Sequence, residues 1–155
     1  MASSQWNNTK IEEIALTVDT SAYAANDVVG GLQTINVSNN GNGGIVRAVN
    51  IIDADNENVA LDVYFFYNEP STIADQDAFA PTTTDHQKLL GKISIAADDY
   101  TTINSNSSAQ KTGQDLDFAG NKLYFYVVTA TGSTPTYTAS DDLSVRIVYW
   151  ANKAG

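Results

Sequence analysis

The sequence predicts an all-β fold, a single β-sandwich domain of jelly-roll-like Greek-key type behind a short N-terminal arm. Three observations point there. The 155 residues include 16 Thr, 15 Asn and 12 Ser; Thr favours strands, and Asn and Ser favour turns. Short apolar runs alternate with Asn/Asp/Gly/Ser clusters, and no stretch carries the period of an ordinary helix. The runs number roughly eight or nine, and a sheet that large with no helices to cover it must fold onto a second sheet or close into a barrel. Connectors of uneven length fit Greek-key crossings better than a meander of tight hairpins.

Residues 1–10 are polar apart from Trp6 and read as an arm ordered by a partner; residues 11–151 make the sandwich. In 11–18, Ile14, Leu16 and Val18 alternate with Ala15 and Thr17, the pattern of a half-buried strand. The strand at 28–37 is interrupted by Gly30 and Gly31, which predicts a bulge or bend. The turn at 39–44 (NNGNGG) leads into a strand at 45–54, and the turn 53–58 (DADNEN) into one at 59–67. Asn68 to Leu90 breaks the rhythm with Pro70 and Pro81 and allows helical turns at 75–79 and 84–90, the second capped by Asp85. A connector this long usually covers or contacts something. Strands resume at 91–96 and 100–103; 104–114 reads as a polar loop, and a short strand falls at 115–118. The run 122–130 is apolar on both faces, as a central strand must be. After a loop at 131–142, the strand 143–150 sets Leu143, Val145, Ile147 and Tyr149 against Ser144, Arg146, Val148 and Trp150.

Composition excludes several functions. With 18 acids against 8 Lys and Arg the formal charge is −10. Such a surface repels phosphate backbones and anionic lipid, so neither nucleic acid nor membrane is an expected partner. Cysteine is absent and His86 is the single histidine, which leaves no thiolate site and no multi-histidine metal site within one chain. The segment Met1 to Lys10 has no apolar signal-peptide core, and no apolar run approaches the roughly 20 residues that span a bilayer. Synthesis in the cytoplasm without an N-terminal export signal is the expectation.

Candidate chemistry is sparse. Asp53, Asp55 and Glu57 offer alternating oxygen ligands suited to Ca²⁺, but Asn58 and Tyr64 stand where an EF-hand loop has Gly and Glu. A solvated hairpin turn is the better reading, and no metal or cofactor is expected. Asp98–Asp99 and Asp141–Asp142 read as strand-end or edge acids. His86 beside Asp85 lacks the nucleophile elbow and the spacing of a hydrolase triad, and no carboxylate pair marks a glycosidase. No enzyme activity is expected. The aromatic clusters Tyr64–Phe65–Phe66–Tyr67 and Tyr124–Phe125–Tyr126 are more informative, because alternate rings on a strand point to opposite faces. One face builds the core. The other, carrying Tyr64, Phe66, Tyr124 and Tyr126, is covered by the 68–90 segment, forms a subunit or partner interface, or makes a sugar-stacking platform. With Trp6, these four rings are the candidate partner-binding residues.

Four segments, TVDTSAYAANDVVGG (17–31), LDVYFFYNEPS (61–71), DAFAPTTTDHQKLLGKISIAADDY (77–100) and LYFYVVTATGSTPTYTASDDLSVRIVYW (123–150), together resemble a family of small structural proteins encoded by tailed bacteriophages. Its best understood members are head decoration, or cement, proteins: β-sandwich subunits, often trimeric, on the outside of the capsid lattice. The resemblance runs over most of 11–150 and rests on the order and character of segments. It implies a virion protein on the outer capsid surface, with the major capsid protein and further copies of itself, as a homotrimer, for partners. It brings no catalytic residues and no cofactor. An adhesion or carbohydrate-binding module, such as a head fibre or tail component, is the alternative that the aromatic clusters and Asn/Asp-rich loops suggest.

Overall fold

Period-2 alternation becomes ten strands among the residues described by the computed structural model, 7–37 and 42–152. In chain order they are β1 (Asn7–Ala15), β2 (Val28–Asn36), β3 (Gly44–Asp53), β4 (Leu61–Phe66), β5 (Leu89–Ile95), β6 (Tyr100–Ile103), β7 (Asn106–Lys111), β8 (Leu116–Phe118), β9 (Lys122–Thr129) and β10 (Leu143–Asn152). One short α-helix, α1 (Thr83–His86), lies between β4 and β5, and a 3-10 turn, Ala97–Asp99, links β5 to β6.

The strands pair as a long hairpin rolled on itself. β1 pairs with β10, β2 with β9, β3 with β7 and β8, and β4 with β5, all antiparallel. Two further pairings, β10 with β3 and β9 with β4, close this nested set into two sheets. One sheet has six strands in the order β1-β10-β3-β7-β6, with β8 beside β3; the other has four in the order β2-β9-β4-β5. First strand against last, second against second-last, and alternation between sheets define a jelly roll. The two sheets pack through their inner faces, where Val49, Ile51, Val145 and Ile147 of one meet Val63, Phe65, Phe125 and Val127 of the other in a single core.

Most expected elements stand where the alternation placed them, and the departures have physical causes. β1 begins at Asn7, so residues 7–10 of the expected arm pair with β10 as part of the sheet; Trp6 lies outside the described residues. The bulge in β2 is large. Gly30 and Gly31 take φ of +79° and +74°, and the register against β9 shifts between Val29 and Gln33. The polar loop expected at 104–114 contains β7 instead, an alternation of small residues with Ser107 and Ala109 turned inward. β5 starts at Leu89, within the expected connector. At α1 the cap is Thr82 rather than Asp85. The Thr82 hydroxyl accepts the Asp85 N–H, and the Asp85 carboxylate accepts the Thr82 N–H, a reciprocal capping box.

Candidate functional site

The two sheets treat their outer faces in opposite ways. On the four-stranded sheet the outer face carries Tyr64, Phe66, Tyr124 and Tyr126, and the chain covers it with its own residues 68–90. Ile73, Phe79 and Leu89 pack on these rings to form a second, smaller core. The Phe79 ring lies 4.5 Å from Tyr64 and 5.6 Å from Tyr126, centroid to centroid. Phe66 and Tyr126 are completely buried, and Tyr124 nearly so. The expectation of an outward aromatic patch is therefore corrected: of the three readings the sequence left open, the rings take the one in which the long connector covers them. An apolar face of this size left in water would be costly, and covering it returns the burial term.

The covering strap is pinned by polar contacts as well. The Tyr126 hydroxyl accepts the Ile73 N–H (2.9 Å) and donates to the Ser71 carbonyl (2.8 Å). Asp75 accepts from the Tyr23 hydroxyl (2.8 Å) and from the Gly30 N–H (2.7 Å), so the bulge in β2 presents an amide to the strap. Strap backbone also bonds β2 and the residues before it: the Val28 N–H donates to Asp77, and the Phe79 N–H to Asn26. At the far end Asp85 gathers the Ser71 N–H, Thr82 and the Lys88 ammonium, and the hydrogen bonds from Ser71 and Thr82 hold its carboxyl well below the usual carboxylate range. His86 sits exposed on α1.

The outer face of the six-stranded sheet has no such cover among the described residues. Register places Ile11 beside Val148, Thr9 beside Trp150, and Trp150 beside Ile45 on this face. Ile11 is 62% exposed, and Ile103, at the far edge of the same face, is 70% exposed. A bulge in β3 opposite Val148 and Tyr149 leaves Arg47 as the extra residue. Its guanidinium lies 4.4 Å above the Trp150 ring centroid and pairs with Asp115. Arg146 pairs with Glu13 across β1 and β10 (3.1 Å). Between Ile52, Thr101, Ile103, Ser108 and Arg146 lies a shallow depression of about 340 Å³. The face is thus part apolar and carries two ion pairs, Arg47–Asp115 and Arg146–Glu13, with Asp117 beside Ile45. Its signal was present in the sequence as the polar-side partners Val148 and Trp150 of the last strand.

The ends of the sandwich differ in charge. The loops that join β3 to β4 and β9 to β10 hold Asp53, Asp55, Glu57, Asp141 and Asp142, while Asp19, Asp27, Asp75 and Asp77 lie beside them. The opposite end, where β1 begins and β10 stops, mixes Arg47, Lys88 and Lys122 with Glu69, Asp85, Asp115 and Asp117. The acidic turn is a clamp. Asp53 folds back on its own loop, accepting the N–H groups of Asp55 and Asn58 (both 3.0 Å). Asp55 accepts the Thr138 N–H and Glu57 the Thr136 N–H, which ties the turn to the 131–142 loop. The alternating carboxylates therefore diverge, and among the described residues no three acids or histidines are grouped to hold a metal ion. Asp142 and Asp99 close local turns by accepting the Ala139 and Ala96 N–H groups.

The strand order and pairing define a single all-β domain, a jelly-roll sandwich of two antiparallel sheets. No protein-family model and no curated protein matches the chain. Among the described residues no helix is long and apolar enough to cross a membrane.

Proposed function

We propose that the chain is a structural virion protein that decorates and stabilises the mature capsid of a tailed phage by bridging major capsid subunits, and that it self-associates, as a trimer. One observation carries the reading: the chain closes one outer sheet face with its own strap, while no described residue covers the other, which carries Ile11, Val148, Trp150 and Ile103. Flat sheet faces of mixed polarity suit protein partners better than small ligands. Jelly rolls serve in viral capsids and in lectins alike, so the fold alone selects neither. The resemblance of the four quoted segments to phage decoration proteins favours the capsid. A clamp that binds the expanded lattice and not its precursor stabilises the expanded form by mass action. Three-fold symmetry multiplies modest contacts into avidity. The net charge of −10 keeps a coated particle soluble.

The test is co-sedimentation of the purified protein with expanded heads and with unexpanded precursors. Saturable binding to expanded heads alone, lost on Ile11→Asp with Trp150→Ala, is the expected result; equal binding of that double variant refutes the docking face. A second reading, a carbohydrate-binding adhesion module, rests on a different spot. Tyr67, 42% exposed, lines a shallow depression of about 270 Å³ with Asn68, Asn121 and Lys122, a ring face beside amide and ammonium groups. A glycan array read with wild type and Tyr67→Ala separates it from the first.

A further inference from the structure

Two open sheets leave four edge strands, β1 and β6 on one and β2 and β5 on the other. Unprotected edges invite foreign strands, and three of these four are blunted. β2 breaks its edge with the Gly30–Gly31 bulge and gives the Val28 and Gly30 N–H groups to Asp77 and Asp75 of the strap. β5 closes against β7 and β8 of the other sheet, with Leu116 seated over Gly91. β6 is only four residues long. β1 has none of these devices. Its nine residues, Asn7–Ala15, include neither Gly nor Pro and pair with β10 without a shift in register.

The parity of that pairing is fixed. The Leu16 N–H donates to the Leu143 carbonyl, and antiparallel bonds fall on alternate residues. The even-numbered residues of β1 therefore bond β10, while the N–H and C=O groups of Thr9, Ile11 and Glu13 point away from it. Among the described residues no other strand or loop takes them up. The side chains then select what can. Ile11 is exposed on the outer face. Lys10 and Glu12 stand opposite Tyr149 and Ile147 on the other face, and neither belongs to an ion pair among the described residues.

Charges on an edge repel most strands. These fit one partner, a second β1 laid antiparallel about a two-fold axis at Ile11. Ile11 is the midpoint of Asn7–Ala15, so the strands overlap along their full length. Ile11 meets Ile11 and Thr9 meets Glu13 as hydrogen-bonded pairs, which uses the outward groups. Lys10 meets Glu12 twice, in the non-hydrogen-bonded pairs where side chains come closest. We propose that the chain associates with a second copy of itself through this edge, β1 against β1, so that one sheet runs on across two sandwiches. The contact is isologous and closes at two copies. It is separate from the docking face and from a three-fold association; where three-fold groups form, it links one to the next.

The experiment is sedimentation velocity of the full chain over a range of concentrations. The mass should rise to twice the 16.6 kDa of one chain, or to an even multiple of it. Ile11→Pro deletes an outward N–H and spares the bonds to β10, so the variant should fold and associate about tenfold more weakly. Lys10→Glu sets like charges opposite each other and should weaken association several-fold, and adding Glu12→Lys to it should restore the contact. Hydrogen exchange at the Thr9, Ile11 and Glu13 amides should slow as concentration rises. A mass that stays at one chain, or at three, overturns the proposal, because an isologous contact builds neither. Undiminished association of Ile11→Pro does so too, or of Lys10→Glu should the proline variant fail to fold. A double variant no tighter than Lys10→Glu alone overturns the pairing of Lys10 with Glu12. Protection of the three amides that arises only when heads are added gives the edge to a capsid segment and overturns the second copy as its occupant.

Discussion

Tyr126→Phe is the cleanest probe of how the strap is held, because it removes one oxygen and leaves the ring in the second core. That oxygen makes two hydrogen bonds, accepting from the Ile73 N–H at 2.9 Å and donating to the Ser71 carbonyl at 2.8 Å. Each such bond contributes about 0.5–1.5 kcal/mol net, and an N–H left without a partner beside an apolar ring costs about 1–3 kcal/mol. The Ser71 carbonyl sits near the surface and regains water, whereas the Ile73 N–H points at the ring edge. The sum is a loss of about 2–3 kcal/mol, or a fall in Tm of about 5–10 °C. Urea unfolding with a shared m-value measures the first, and hydrogen exchange at the Ile73 amide measures the local effect. A loss below about 0.5 kcal/mol, the scatter of ordinary surface substitutions, with Ile73 still protected, would refute the assignment of Tyr126 as the pin.

Phe79→Ala should cost about 2–3 kcal/mol through lost burial against Tyr64 and Tyr126, and should expose the aromatic face to a dye such as ANS; a variant that is destabilised yet binds no dye would contradict the cover role. Gly30→Ala should cost about 1–3 kcal/mol, because an added Cβ would lie 2.9 Å from the Leu16 Cβ at a φ of +79°; a neutral effect in thermal unfolding would show that β2 relaxes freely. The folded-state pKa of Asp85 is depressed, so its contribution is complete above the unfolded value of about 4 and is lost as pH falls through the folded value. Protease cleavage in 68–90 should therefore begin only in acid for the wild type and already at neutral pH for Asp85→Ala; a strap equally protected in both would remove Asp85 as its anchor. Ile11→Asp should leave the unfolding free energy within about 0.5 kcal/mol of wild type, as an exposed edge residue must, while weakening attachment to heads; intact attachment would exclude Ile11 from the contact.

The layered architecture was legible because half-buried strands alternate. Leu143 to Tyr149 predicts its own inner face residue by residue, and Gly30–Gly31 announces the bulge. β7 was not legible: Asn106 to Lys111 carries no branched or aromatic residue, and small inward side chains suffice there beneath the loops. The pairing partners were equally hidden, since the nested first-with-last order is a property of long-range closure rather than of any local run. For the candidate site, the second aromatic face was visible as a face, but its cover was not assigned. Tyr64 and Phe66 read the same whether a strap or a partner lies on them, and the contact with Phe79 spans residues of no local pattern.

A cryo-electron microscopy reconstruction of decorated heads tests the central claim most directly. The account expects jelly-roll subunits around symmetry points of the expanded lattice, with the six-stranded sheet against the major capsid protein and Ile11, Val148 and Trp150 buried in the contact. Heads that carry no such density, or subunits standing with that face in solvent and the strap against the shell, would contradict it.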